Sequence, residues 1–326
     1  MNSLLEIKNL KIRFENKDLI TYAVNDISFS IKLGESVGIV GESGSGKSVT
    51  SKSILKLLGK NAKISGSILF NGEELLNKDD KFMNSIKGSK ISMIFQDPMT
   101  SLNPLFTIGT QMKRLIKRHL KELNNSQIKE KSIEYLNLVG IPDAEKRLKN
   151  YPHEFSGGMK QRVMIAMALC LEPNLIIADE PTTALDVTIQ AQILNLINNL
   201  NSKKDRSLIL ITHDLGVVAN TCDRVIVMYS GMIMEMATVE DLFNNPKHPY
   251  TIGLLNSLPK SECNKRLTPI SGNPPDMTKN INGCPFYERC KDRLEICNKC
   301  IPEIKKISSN HFSRCHLFGG DEWWKI

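Results

Sequence analysis

The run Gly41-Glu42-Ser43-Gly44-Ser45-Gly46-Lys47-Ser48 reads G-x-x-x-x-G-K-S, the spacing of a loop that holds the phosphates of a nucleoside triphosphate. Glycines are needed there because successive backbone N–H groups must turn inward around a phosphate, and a Cβ would block either the conformation or the approach. Lys47 adds a point charge toward the β- and γ-phosphates, and Ser48 offers a hydroxyl to Mg²⁺. A second place for chemistry is Asp179-Glu180, at the end of the apolar run Leu175-Ile176-Ile177-Ala178. Asp179 suits Mg²⁺ or its water ligands, and Glu180 suits the orientation or deprotonation of a water that attacks the γ-phosphate. Ser156-Gly157-Gly158 opens a helical stretch and presents N–H groups and a positive dipole end to an anion. Four of the eight cysteines fall between Cys284 and Cys300, with Cys315 close behind. With no secretory signal at the start of the chain, that cluster suggests a metal rather than disulfides.

The elements that position these residues are legible in the hydrophobic pattern. Val37 to Val40 is the short apolar strand expected before a phosphate loop, and Val49 to Leu58 has a helical pattern after it. Leu5, Ile7, Leu10, Ile12 and Phe14 alternate with polar residues apart from one slip, and Ala23 to Ile31 alternates again, so the N-terminus reads as a lobe of antiparallel strands. Ile64 to Phe70 followed by Asn71-Gly72 resembles a strand and a tight turn. Residues 100–165 read as mostly helical. Leu175 to Ala178 and Ser207 to Thr212 are continuous apolar runs, as strands covered on both faces require, and Ile189, Ile193, Ile197 and Leu200 repeat at helical spacing between them. A strand, a helix and a strand in that order imply a parallel sheet. Beyond Asn244 the composition shifts toward Pro, Lys and Cys, which marks a boundary.

Composition limits the classes that remain. At 326 residues the chain accommodates a large α/β domain and a smaller appendage, and a hydrophobic share of 41% suits a well-cored protein. Its net charge of +8 is spread among acidic residues rather than gathered into a patch, which argues against nucleic acid as a partner. The longest strongly apolar run, Val163 to Leu171, falls far short of the roughly twenty residues that a bilayer requires. The start, Met1 to Lys8, has neither a basic nor an apolar leader segment, and the expectation is a cytoplasmic protein.

Taken with the phosphate loop and Asp179-Glu180, the segment Ser156-Gly157-Gly158-Met159-Lys160-Gln161-Arg162 resembles the signature of ABC-transporter ATPases. Gln96 resembles the Q-loop glutamine of that family, Ala184-Leu185-Asp186 its D-loop, and His213 its switch histidine, the γ-phosphate sensor. Phe14, with Tyr22 as the second choice, resembles the aromatic that stacks on adenine. The resemblance covers residues 1–240 and implies an α/β fold: an ABC-type P-loop NTPase domain with a RecA-like core, an antiparallel β lobe and a helical subdomain at 100–165. It implies ATP and Mg²⁺ as ligands, with Gln96 joining Ser48 and Asp179 around the metal. Where the signature usually carries glutamine this chain has Met159, which puts that side chain's nucleotide contact in question; such a methionine resembles the peptide-importer branch.

The tail points the same way. Asn245-Pro246-Lys247-His248-Pro249-Tyr250-Thr251 and Ile270-Ser271-Gly272-Asn273-Pro274-Pro275-Asp276 resemble the C-terminal extension of oligopeptide and dipeptide importer ATPases, which divides the chain into 1–243 and 244–326. Cys284, Cys290, Cys297 and Cys315, spaced C-x5-C-x6-C-x17-C, are similar to four cysteines credited in that extension with a [4Fe–4S] cluster. Four thiolates equally make a closed zinc site, and spacing alone does not separate the two. Cys300 is a surplus thiol with no assigned role. The expected activity is ATP hydrolysis that drives peptide import, with nickel or another metal chelate as the alternative cargo and a soluble ABC ATPase or an exporter as rival classes. One phosphate loop and one signature per chain imply a partner, and the resemblance suggests a head-to-tail heterodimer with a second, related ATPase. The resemblance adds two membrane permease subunits, coupled through residues 96–111, and an extracytoplasmic solute-binding protein, with this chain at the cytoplasmic face of the membrane.

Overall fold

The structure, a computed structural model, describes residues 3–17, 19–97, 101–181, 190, 206–258 and 269–318. In chain order its strands are β1 (Ser3–Asn16), β2 (Leu19–Lys32), β3 (Ser36–Val40), β4 (Ala62–Phe70), β5 (Glu73–Glu74), β6 (Ile91–Ile94), β7 (Leu175–Asp179), β8 (Ser207–Ile211), β9 (Arg224–Tyr229), β10 (Met232–Thr238), β11 (Lys305–Lys306) and β12 (Phe312–Ser313). The chain forms two compact units. One contains Lys32–Glu35 and Asn77–Ile211, the other Ser3–Ile31, Ser36–Leu76 and the residues from Thr212 onward.

In the second unit a four-stranded sheet has the order β2-β1-β4-β5, with β1 antiparallel to β4 from Leu5 opposite Phe70 to Phe14 opposite Ala62. Leu5, Ile7, Leu10 and Ile12 are its buried row. The slip in their alternation is a bulge between Lys8 and Lys11, where Asn9 adopts a φ of 48° and Gly66 lies against its carbonyl. Asn71 (φ 50°) and Gly72 (φ 80°) turn β4 into β5, the left-handed pair that an Asn-Gly hairpin supplies without strain. The other strands of this unit run in the order β11-β12-β10-β9-β3, with β3 and β9 parallel and β9, β10 and β12 antiparallel in turn. Strands from the C-terminal tail thus extend the layer that carries the phosphate loop. Below them Val40, Val218, Val225, Tyr229, Met234, Leu242, Tyr250 and Phe286 form one buried cluster.

In the first unit β6, β7 and β8 are parallel with β7 central, and every residue of the three strands is buried. That is the physical reason their sequences lack alternation. The helices Ile108–His119, Asn125–Leu138, Ala144–Arg147 and Gly157–Leu169 occupy the stretch read as helical. The second begins with a reciprocal capping box between Asn124 and Gln127. The helix after the phosphate loop is shorter than its pattern suggests: it spans Lys47–Ile54, because Leu55 caps it and Lys56 turns left-handed at φ 50°. Ile189, Ile193, Ile197 and Leu200 lie outside the described residues. No helix among the described residues is long and apolar enough to cross a membrane.

Candidate nucleotide site

The phosphate loop joins β3 to the helix Lys47–Ile54, and its three glycines are required for different reasons. Gly41 has a φ of 148°, and a Cβ there would stand 2.1 Å from the carbonyl oxygen of Met228; at Gly46 (φ 96°) it would stand 2.5 Å from that of Ala23. Gly44 (φ 79°) has open space around it, so only the backbone conformation demands glycine. Lys47 is nearly buried, and its ammonium donates to the carbonyls of Gly41 and Glu42, each at 2.8 Å, and to Ser45 Oγ at 3.2 Å. The lysine therefore closes the loop's carbonyl side, and the backbone turns at the three glycines are of the kind that can aim N–H groups at an anion. Thr50 Oγ1 donates to the Gly46 carbonyl at 2.9 Å, and the Gly231 N–H donates to that of Ser45 at 3.1 Å.

Glu42 is held from two further sides. Its N–H donates to the hydroxyl of Tyr250 at 3.0 Å, and its carboxylate accepts from Arg289 Nη1 at 2.8 Å. Neither Tyr250 nor Arg289 figures in the sequence reading as a contact of this loop. The His-Pro-Tyr triplet was visible as a tail feature, but nothing in it says which element its tyrosine reaches. Phe14 and Tyr22 are both half-buried in the same unit. His213 is exposed, between Thr212, whose Oγ1 accepts the Asp214 N–H at 3.0 Å, and Asp214, which caps the helix Leu215–Thr221 by accepting from Gly216 and Val217.

The first unit brings Gln96, Asp179 and Glu180 to the carboxyl end of β7. Asp179 closes the strand and is 1% exposed. Glu180 follows with a φ of 47°, its N–H donating to the Ile211 carbonyl at 2.8 Å. A non-glycine residue in that conformation is held there by its surroundings at a cost of about 1–3 kcal/mol, a pattern common where a side chain must be aimed. Gln96 Nε2 donates to Glu180 Oε2 at 2.8 Å and so fixes the carboxylate. Ser156 is the N-cap of the helix Gly157–Leu169, its Oγ accepting from Met159 N at 3.3 Å. Met159 thus takes part through its backbone. Gly157 is exposed, has an ordinary φ, and a Cβ on it would meet nothing within 4 Å. Among the described residues no contact requires a glycine there. Farther along this helix Gln161 donates to the Pro181 carbonyl, tying the helix to the residue after Glu180. Asp186 lies outside the described residues.

In the tail, Cys297 and Cys315 are buried, Cys284 and Cys290 half-buried and Cys300 exposed. Burial, then the charge of Cys297, Cys315 and Cys290, pushes Cys284 up to about 12. Burial, then Cys290 and Cys297, pushes Cys315 up to about 11, and Cys290 is raised by burial, Asp292 and Cys297. Burial is thus the chief influence on these three thiols, and no group of three or more His, Cys, Asp or Glu among the described residues is placed to hold a metal ion.

Comparison with known proteins identifies the family. The family model described as "ABC transporter" matches residues 24–183, and that described as "Oligopeptide/dipeptide transporter, C-terminal region" matches 234–297. The chain is 50% identical over 316 residues to the oligopeptide transport ATP-binding protein OppD of Salmonella typhimurium, covering 96% of this chain and 93% of that one. It is likewise 50% identical over 320 residues to the dipeptide transport ATP-binding protein DppD of Bacillus subtilis, covering 97% and 95%. Among solved structures it is similar to the dimeric ATP-binding cassette MJ0796 bound to ADP and Pi, with a TM-score of 0.66, 29% identity, and coverage of 72% of this chain and 98% of that one.

Proposed function

This chain belongs to the ABC transporter family, in its oligopeptide and dipeptide branch, and we propose from that premise how its residues divide the work of ATP-driven peptide import. It is the ATP-binding and ATP-hydrolysing subunit of such an importer. The observation that carries the chemistry is the loop Gly41 to Ser48, whose backbone is bent for phosphates and whose lysine is locked into place. The names of the relatives, oligopeptide and dipeptide transport, favour peptides over nickel or another metal chelate as cargo.

In this reading residues 1–243 are the ATPase domain, with 100–165 as its helical subdomain, and 244–326 are the extension. Gly41 to Ser48 cradle the triphosphate and Phe14 stacks on the adenine. Ser48, Asp179 and Gln96 would hold Mg²⁺, which would supply positive charge against that developing on the phosphate oxygens. Glu180 takes the proton of the attacking water, aimed by Gln96, and His213 contacts the γ-phosphate. Ser156, Gly157, Gly158 and Met159 face the nucleotide of a partner ATPase, which suits the open space that the described residues leave around Gly157, and Asp186 belongs to the D-loop. ATP closes that dimer and hydrolysis reopens it. The partner is a second, related ATPase, and the pair docks peripherally under two permease subunits at the cytoplasmic face of the membrane, fed by an extracytoplasmic solute-binding protein.

Cys284, Cys290, Cys297 and Cys315 would hold the [4Fe–4S] cluster. The donor type, four thiols, is what supports this reading, and it suits a four-iron cluster and a zinc site alike. The group would act as a staple for a tail with little apolar material for a core.

Co-expression with candidate permease subunits, a second ATPase and a solute-binding protein tests the assembly. A purified complex whose ATP turnover rises with peptide-loaded binding protein is expected; a chain that hydrolyses ATP alone and joins no permease would overturn the importer mechanism. Iron, acid-labile sulfide and zinc analysis of anaerobically purified protein tests the tail, with about four irons and four sulfides per chain expected. Stoichiometric zinc without sulfide, or neither metal, would overturn the cluster.

A further inference from the structure

The motifs that identify the nucleotide site end before residue 240, yet two side chains of the extension reach into the phosphate loop. Tyr250 is fully buried, and its hydroxyl takes the N–H of Glu42 at 3.0 Å. Arg289, with 6% of its side chain exposed, donates from Nη1 to the Glu42 carboxylate at 2.8 Å and to the Tyr229 hydroxyl at 3.1 Å. Its other nitrogens donate to the carbonyls of Ser271 at 3.1 Å and Ile270 at 3.3 Å, and it lies over the rings of Tyr229 and Phe286. Burial opposes its charge, but Glu42 and Tyr229 outweigh that and hold the guanidinium firmly ionised. Tyr250 is fixed in turn by His248, whose Nδ1 accepts its N–H at 3.0 Å, and by the rings of Tyr229 and Phe286.

Glu42 itself poses an electrostatic problem. It places a carboxylate one residue from Gly41, in a loop that must attract a polyanion. We propose that Arg289 and Tyr250 are positioning residues of the ATP site: Arg289 neutralises and anchors the Glu42 side chain, and Tyr250 fixes its N–H, so that the extension sets the shape and field of the phosphate loop. The inference rests on the reading of Gly41 to Ser48 as the ATP loop. It gives the His-Pro-Tyr triplet a physical role: His248 caps the helix Pro249–Asn256, Pro249 starts it, and Tyr250 reaches the loop.

The decisive experiment is a charge cycle in the assembled transporter, with ATP turnover and equilibrium binding of a fluorescent ATP analogue as readouts. Arg289→Ala is expected to raise KM and Kd about tenfold, since it exposes the triphosphate to an unbalanced carboxylate, with a smaller effect on kcat. Adding Glu42→Gln to it should restore binding to within about threefold, because the offending charge is gone. Tyr250→Phe should also weaken binding, but without rescue by Glu42→Gln. A double variant no better than Arg289→Ala would mean that Arg289 is merely structural and would overturn the proposal. Glu42→Gln alone leaves the Arg289 cation unbalanced beside the loop and is expected to tighten ATP binding about threefold, so weaker binding there would overturn the proposal too, even if Arg289→Ala does not fold. Lys47→Ala separates the two layers of the argument. If it abolishes ATP binding while Arg289→Ala has no effect, only the role of the extension fails; if it too has no effect, the loop assignment fails with it.

Discussion

Replacing Glu180 with Gln should separate binding from hydrolysis. The change removes a charge and almost no volume. Gln96 Nε2 lies 2.8 Å from Glu180 Oε2, and a carboxamide oxygen at that place still accepts its hydrogen bond. What is lost is the difference between a charge-assisted and a neutral bond, about 1 kcal/mol. The left-handed backbone and the main-chain bond to Ile211 do not depend on the side chain's charge. The fold and the phosphate loop should therefore survive, with the Kd for ATP within about threefold of the parent. A general base contributes about 10²–10⁴ in rate, or about 3–5 kcal/mol of barrier, and that is the expected loss in kcat. The assay is ATP turnover of the assembled transporter at saturating ATP, beside equilibrium binding of a fluorescent analogue. Gln96→Ala, which leaves the carboxylate but not its anchor, should lower kcat about tenfold. Turnover of the Glu180→Gln complex within about threefold of the parent would refute the base role, and loss of binding in step with turnover would place Glu180 in nucleotide binding instead.

Two further substitutions probe the subunit interface and the buried histidine. Gly157→Ala should leave thermal stability within about 0.5 kcal/mol of the parent, because the added methyl meets nothing among the described residues, while turnover of the assembled complex drops at least tenfold; a stable variant with full turnover would remove the signature from the interface between subunits. His248 is fully buried, and burial lowers its pKa from 6.5 to about 3, so the unfolded chain binds a proton that the folded chain does not. Its contribution to stability is complete above pH 6.5 and shrinks as pH falls toward 3, by about 1.4 kcal/mol per pH unit. Denaturant unfolding from pH 7 to 5 should show this slope, and His248→Asn, which keeps a capping side chain, should flatten it.

Much of the nucleotide chemistry was legible in the sequence because it depends on local spacing. A phosphate loop is made by consecutive residues, so Gly41 to Ser48 could be read directly, and the φ values of Gly41, Gly44 and Gly46 are the conformations that the glycines announce. The buried strands Leu175–Asp179 and Ser207–Ile211 were visible as continuous apolar runs, since strands covered on both faces have no polar row. Even the slip in the first strand was written in the order Ile7, Leu10, Ile12, although only the structure identified it as a bulge.

Tertiary structure decided what sequence distance hides. Gln96 and Glu180 are far apart in the chain and meet only because β6 and β7 lie side by side. Glu42 meets Tyr250 and Arg289 only because the extension folds back beneath β9 and β10, with β12 pairing along β10. Neither residue carries a local signal: a tyrosine beginning a helix and an arginine beside a cysteine are ordinary neighbours in a sequence. Whether such groups become part of a site depends on which surfaces the apolar core draws together. Hydrophobic burial has no direction of its own, so the partner of a side chain is fixed only when the packing is complete.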